Sequence, residues 1–338
     1  MTGMERNSDV VEMCSYAPLF VNPGWQSWNP NAIVFDSAHA YGTPSYHVQA
    51  LFGNNKPDVI LPVEMQSMEE PLSPISGSIG LGSYSTQVEY KDIKVTGSKG
   101  EILFNSKGMK TLEGWKKNRG AWAVSDGVIK QVSNDTPTCI LLGDKAWNNY
   151  TLTLKARKDS GAEGFQILFD TKNTESPNMW NIGGWQNTKN SVEWDPVTEY
   201  KQCSVEAGRW YDVKIEVSDK AVKCYLDGQL LHDVARPTGR QVLHTVAGYK
   251  QDTKEVIVKV VNGTPTPRTG TVTLAGSKSF VSGKAIVLAN SDPDAENTFA
   301  EPQKVAPKEE KLEKVSDNKV ERTFPANSVT VLRLQEKK

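Results

Sequence analysis

Cysteine is scarce in this 338-residue chain, and its four copies follow no ligand or redox pattern. Cys14, Cys139, Cys203 and Cys224 show neither CxxC nor CxxH spacing, which argues against a metal centre. Cys203 and Cys224 fall on predicted strands that can be neighbours, so one disulfide is open, with buried free thiols the preferred reading. His39, His47, His232 and His244 are scattered and form no ligand set, so neither metal nor cofactor is expected. No apolar run reaches the roughly 18 residues of a membrane span. The opening residues, MTGMERN, lack the basic-then-apolar form of a secretion signal. An excess of one charge is missing too. The 39 basic and 40 acidic residues nearly cancel, which argues against nucleic acid or a strongly anionic partner.

What the chain does have is tryptophan, nine in all, beside 26 glycines and 18 prolines. That composition suits an all-β, carbohydrate-facing protein, and the length allows two or three domains. The chain is organised around residues 16–49. An apolar run over residues 10–21 leads into a dense aromatic and amide loop, Trp25-Gln26-Ser27-Trp28-Asn29. Ile33-Val34-Phe35 and Asp36 follow, and Thr43-Pro44-Ser45 opens a short helical pattern that ends near Phe52. Strand, long loop and helix make up the repeating unit of (β/α) barrels, whose active sites sit on the loops after the strands. Trp, Gln and Asn in such a loop suit a sugar, because aromatic faces stack on ring C–H surfaces and amides bond hydroxyls. The alternative is a surface loop whose tryptophans only pack.

The segments GMERNSDVV, SYAPLFVN, WNPNAIVFDS and YGTPSYHVQ resemble the end of the catalytic barrel in glycoside hydrolase family fifty-one, the α-L-arabinofuranosidases. The resemblance covers about the first fifty residues and implies a (β/α)8 barrel fused to a C-terminal β-sandwich. It also implies release of terminal arabinofuranose, with retention, from plant cell-wall arabinan or arabinoxylan, by a secreted or periplasmic enzyme. Residues 3–9 would end the seventh barrel helix and residues 11–19 would be the eighth strand. Trp25, Gln26, Trp28 and Asn29 would border the arabinose subsite. Retaining glycosidases use two carboxylates about 5 Å apart. In the family both precede the part that matches here, so no catalytic residue is expected in this chain. Glu5 and Glu12 carry neither motif. A lone barrel strand and helix cannot bury their apolar faces. They should be poorly ordered, or pack on the sandwich or on a neighbouring chain, which leaves a homo-oligomer open.

After the breaker Asn54-Asn55-Lys56-Pro57 comes a predicted strand at 59–63, then a linker marked by Pro71, Ser73, Pro74 and Gly77. From Thr86, Val88, Tyr90 and Ile93 alternate with Glu89, Lys91 and Asp92. Residues 79–95 resemble a strand pair of laminin-G or concanavalin-like sandwiches. Strands are predicted at 127–132, 139–142, 150–157, 164–170, 211–217 and 222–226, with Asp227-Gly228 as a tight turn before 229–232. Met179-Trp180-Asn181-Ile182-Gly183-Gly184-Trp185-Gln186 suggests a second sugar site on Trp180, Asn181, Trp185 and Gln186. The alternative puts those tryptophans in the core.

Strands return at 242–247, 255–262, 271–275, 284–289, 320–324 and 328–334, with a charged stretch at 301–317. Asp292-Pro293-Asp294-Ala295-Glu296-Asn297 matches a turn of the same family, and reads as a carboxylate-capped turn rather than a calcium loop. The expected fold is mainly β. Residues 1–56 are a barrel remnant, 57–74 with 238–338 an accessory β-sandwich, and 75–237 an inserted lectin-like sandwich.

Overall fold

The computed structural model describes residues 1–143, 145–274, 280–312 and 318–336. The end of the predicted strand at Ala275 and residues 313–317 of the charged stretch lie outside them. The chain forms two units, Met1–Glu70 with Gln241–Lys338, and Pro71–Arg240. Residues 1–56 belong to the first of these rather than standing as a body of their own.

Pro71–Arg240 is a two-sheet sandwich. One sheet runs in the order Trp115–Asn118, Thr138–Leu142, Ser78–Ser83, Phe165–Thr171, Met179–Gly183, Lys189–Trp194, Val197–Gln202. The other runs Trp122–Ser125, Val128–Gln131, Thr86–Gly97, Tyr150–Gly161, Trp210–Val217, Ala221–Leu226, Gln229–Ala235, with Ile102–Asn105 branching from Thr86–Gly97. Alternation sets which side chains meet between them: Val88, Tyr90, Leu152, Leu154, Val213 and Ile215 face Leu81, Ile167, Phe169 and Trp180 in one apolar core. The predicted pair at 79–95 separates. Ser78–Ser83 joins one sheet and Thr86–Gly97 the other, and the Tyr90 hydroxyl donates across the core to the Gly82 carbonyl at 2.6 Å.

The first unit holds a second sandwich. Its larger sheet is ordered Lys308–Lys311, Phe280–Leu288, Ser328–Glu336, Glu255–Asn262, Leu243–Lys250, Val59–Leu61, and the smaller Lys319–Phe324, Arg268–Leu274, Val63–Ser67. The expected strand at 59–63 therefore divides between the two sheets. Glu255–Asn262 reads EVIVKVVN, nearly apolar throughout, because both faces are covered. Val256, Val258 and Val260 point into the sandwich core. Ile257 points the other way, onto Leu51 and Phe52 of the helix Pro44–Asn54.

That helix follows a small sheet in which Phe20–Val21 pairs parallel with Ile33–Phe35, itself antiparallel to Ala40–Gly42. The end of the expected barrel thus packs on the outer face of the accessory sandwich. The expected eighth strand over 11–19 does not form, and only Phe20–Val21 is extended and paired. A strand needs a neighbour for its backbone groups, and Val10 and Met13 stand 75% and 89% exposed.

Candidate functional site

The loop of residues 22–31 is built by short-range hydrogen bonds. The Asn22 side chain accepts from Gly24 N at 3.1 Å, and Trp25 N donates to the Asn22 carbonyl at 2.9 Å, closing the turn Pro23–Trp25. Gln26 Nε2 donates to the Trp28 carbonyl at 3.1 Å, and Asn31 Nδ2 reaches the same oxygen. Thr43 Oγ1 donates to the Asn31 carbonyl at 2.7 Å and accepts from Tyr46 N, capping the helix that Pro44 begins. The loop is thereby tied to the helix start.

The two motifs that are far apart in sequence meet here. A cleft of about 390 Å³ is lined by Gln26, Asn29, Tyr41 and Thr43 on one side and by residues 293–297 on the other. Asn297 fixes the second wall: Nδ2 donates to the Gly42 carbonyl at 2.8 Å and the Val305 carbonyl at 3.0 Å, while Oδ1 accepts from Val305 N at 2.7 Å. Asp292 Oδ1 accepts from Asp294 N at 3.0 Å, so this carboxylate caps its own turn. Tyr41 packs edge-on against Phe299 at 5.0 Å. Burial pushes its phenol above the ordinary value, and the charge of Glu296 adds to that.

Of the four loop residues expected at a sugar, Gln26 and Asn29 line this cleft. Trp25 and Trp28 do not line it; they project into solvent, 87% and 64% exposed. Tyr41, Thr43 and Glu296 are wall residues that the sequence reading missed. Their signal is present in the segments YGTPSYHVQ and DPDAEN, but nothing in the sequence shows that the two motifs touch.

The second constellation divides at a left-handed turn. Trp180 is fully buried, its ring centroid 6.2 Å from that of His232 in an edge-to-face contact and its Nε1 without a partner among the described residues, so it offers no face to a ligand. Trp185 is 42% exposed and meets Tyr200 at 5.3 Å and 75°. Gly183 (φ 69°) begins the reversal, and Trp185, Gln186 and Asn187 continue it at φ 50°, 58° and 60°. Each non-glycine residue in that region costs about 1–2 kcal/mol. Anchors hold the turn: Asn187 exchanges hydrogen bonds with Val205 at 2.9 and 2.8 Å, and Thr188 Oγ1 donates to the Trp185 carbonyl at 2.7 Å. Gly184 sits so close to Asn181 that a Cβ there would lie 2.6 Å from its Nδ2.

The cysteines are free thiols. Cys224 lies in the eight-stranded sheet, and Cys203 follows the edge strand of the other, so the optional disulfide does not form.

A family model for the alpha-L-arabinofuranosidase C-terminal domain matches residues 1–328. The chain belongs to this family. It is 35% identical over its whole length to an extracellular exo-alpha-L-arabinofuranosidase of Streptomyces chartreusis, of which it covers 41%. It is 64% identical over 52 residues to alpha-L-arabinofuranosidase 2 of Arabidopsis thaliana, covering 15% of this chain and 8% of that protein. An arabinose-bound family 51 α-L-arabinofuranosidase structure matches all of the chain at 15% identity and a TM-score of 0.42, over 26% of its own length. The chain thus spans less than half of the relatives it matches along its full length.

In this α-L-arabinofuranosidase C-terminal domain, Glu5 serves as a fastener. It pairs with Lys259, which is 1% exposed, and Lys259 Nζ also donates to the Phe52 carbonyl at 3.3 Å. Burial lowers the Lys259 pKa from its ordinary value, and Glu5 opposes that shift. A carboxylate held by a buried ammonium is poorly placed to act as acid or nucleophile. Glu12 is exposed.

Proposed function

We propose that this chain is the C-terminal part of a retaining α-L-arabinofuranosidase that removes terminal arabinofuranosyl groups from cell-wall arabinan or arabinoxylan. The observation that carries the proposal is the cleft between Gln26, Asn29 and residues 293–297, which brings both motifs together across a lining that includes amides, hydroxyls and the carboxylates Asp294 and Glu296. Amides and hydroxyls bond sugar hydroxyls in either direction. On this reading the two carboxylates lie on a part of the enzyme outside these residues, and the chain contributes the rim of the arabinose subsite. Gln26 and Asn29 supply hydrogen bonds, while Trp25 and Trp28 stand at the outer edge of the loop, available to a longer substrate. The extracellular relative supports secretion of the parent enzyme. The test is arabinose release from a chromogenic α-L-arabinofuranoside by the chain as given. No release is expected. Release at a rate typical of glycosidases would put a catalytic pair inside these 338 residues and overturn the assignment.

A further inference from the structure

In the unit Pro71–Arg240, we propose that the outer face of the seven-stranded sheet binds a neutral glycan chain. Trp185 and Tyr200 form its stacking end, and Gln166 and Asn181 its hydrogen-bonding floor. The proposal is independent of the cleft described above and requires no hydrolysis.

Register brings these residues together. Gln166 is opposite Gly82 on one side and Asn181 on the other, Asn181 is opposite Ser191, and Ser191 is opposite Tyr200. Their chain neighbours Ile167, Trp180, Ile182 and Val192 fill the core, so alternation turns this row outward. Gln166 to Tyr200 crosses three strand spacings, about 14 Å, a length that several linked sugar rings occupy. The left-handed turn at 183–187 carries Trp185 to the end of the row, against Tyr200.

Two observations point to a hydroxyl-rich occupant. Gln166 and Asn181 are each only 8% exposed, yet neither side-chain amide bonds a described residue and no polar atom of either is sealed from solvent. Solvent still reaches these amides, so an occupant that displaces their water must both donate and accept, as a sugar hydroxyl does. Trp185 and Tyr200, 42% and 56% exposed, make an aromatic corner whose faces suit ring C–H surfaces. The row itself is uncharged. Glu193, which accepts from Ser191 Oγ at 2.8 Å, and Lys189 lie two positions to either side of Ser191 on the same strand. That balance favours a neutral polymer over an acidic one.

The test is affinity electrophoresis of the full chain through gels containing soluble arabinoxylan or, separately, polygalacturonate, with thermal unfolding run in parallel. Retardation is expected in arabinoxylan. Trp185→Ala and Tyr200→Ala should each weaken it at least tenfold with the unfolding temperature nearly unchanged, and Trp185→Tyr should recover part of the loss. Full retardation of the Trp185→Ala and Tyr200→Ala proteins would overturn the proposal. So would unhindered migration of the parent chain in arabinoxylan, or retardation confined to polygalacturonate.

Discussion

Asn297 donates from Nδ2 to the Gly42 carbonyl across 2.8 Å, although 255 positions separate them. The last residue of the DPDAEN turn thereby holds the end of the strand Ala40–Gly42 just before the helix Pro44–Asn54 begins. Its side chain is 2% exposed and also bonds both backbone groups of Val305. Asn297→Ala leaves these buried groups unpaired and should cost about 2–3 kcal/mol. Urea unfolding of the first unit would measure it; a loss under about 0.5 kcal/mol would contradict the role.

The Glu5–Lys259 pair makes a second fastener, and its partners are unequal. Glu5→Ala strands an ammonium that is 1% exposed, and about 3 kcal/mol should be lost. Adding Lys259→Met removes the stranded charge, so the double variant should regain most of that loss. A double variant as unstable as Glu5→Ala would show that packing, rather than the charge, sets the effect.

His232 predicts a pH dependence. It is fully buried, its Nδ1 is 2.8 Å from Glu199 Oε1, and its Nε2 meets Asn190 Oδ1. Two acceptors favour the imidazolium, and burial favours the neutral ring. Burial prevails and lowers the His232 pKa, because Glu199 is 35% exposed and shared with Lys201 at 3.2 Å. The unfolded chain then takes up a proton near pH 6.5 that the folded chain refuses. Stability should hold above that pH and fall below it, by up to about 1.4 kcal/mol per unit. Glu199, whose pKa is lowered in the folded chain, extends the loss below its ordinary value of 4.5. Unfolding free energies from pH 8 to 5 test this. A His232→Gln protein should lack the drop near pH 6, and an unchanged profile would contradict the assignment.

The left-handed turn offers a gain. Gln186 is exposed at φ 58°, where glycine adopts the same backbone without a Cβ penalty. Gln186→Gly should therefore stabilise the second unit by up to about 1 kcal/mol, or about 2–4 °C for a unit of this size. A lower unfolding temperature would mean that the side chain holds the turn.

Much of the β architecture was legible because period-two alternation survives wherever one face is dry: Val88 and Tyr90 against Glu89 and Lys91, or Leu152 and Leu154 against Thr151 and Thr153. Short strands such as Trp115–Asn118 and Trp122–Ser125 escaped, since WKKN and WAVS are too brief to show a period. The run at 11–19 misled for the opposite reason: it is apolar enough for a strand, but strand formation depends on a partner that sequence does not display. The candidate site was half legible. Composition drew attention to the loop, but whether Gln26 or Trp25 faces the cleft depends on the turn at Asn22 and on a contact with residues 293–297. Trp180 and Trp185 look equivalent in sequence, but strand alternation turns Trp180 into the core with Ile182, whereas Trp185 sits inside the left-handed turn that ends the strand and is left exposed.

The most direct measurement concerns the chain's place in a whole enzyme. Its sequence would replace the matching 41% of the Streptomyces chartreusis enzyme, and the chimera would be assayed on a chromogenic α-L-arabinofuranoside. The account predicts arabinose release by the chimera, and a KM at least fivefold higher when Gln26→Ala and Asn29→Ala are introduced together. A chimera that folds cooperatively yet releases no arabinose, or one whose KM ignores both substitutions, would contradict it.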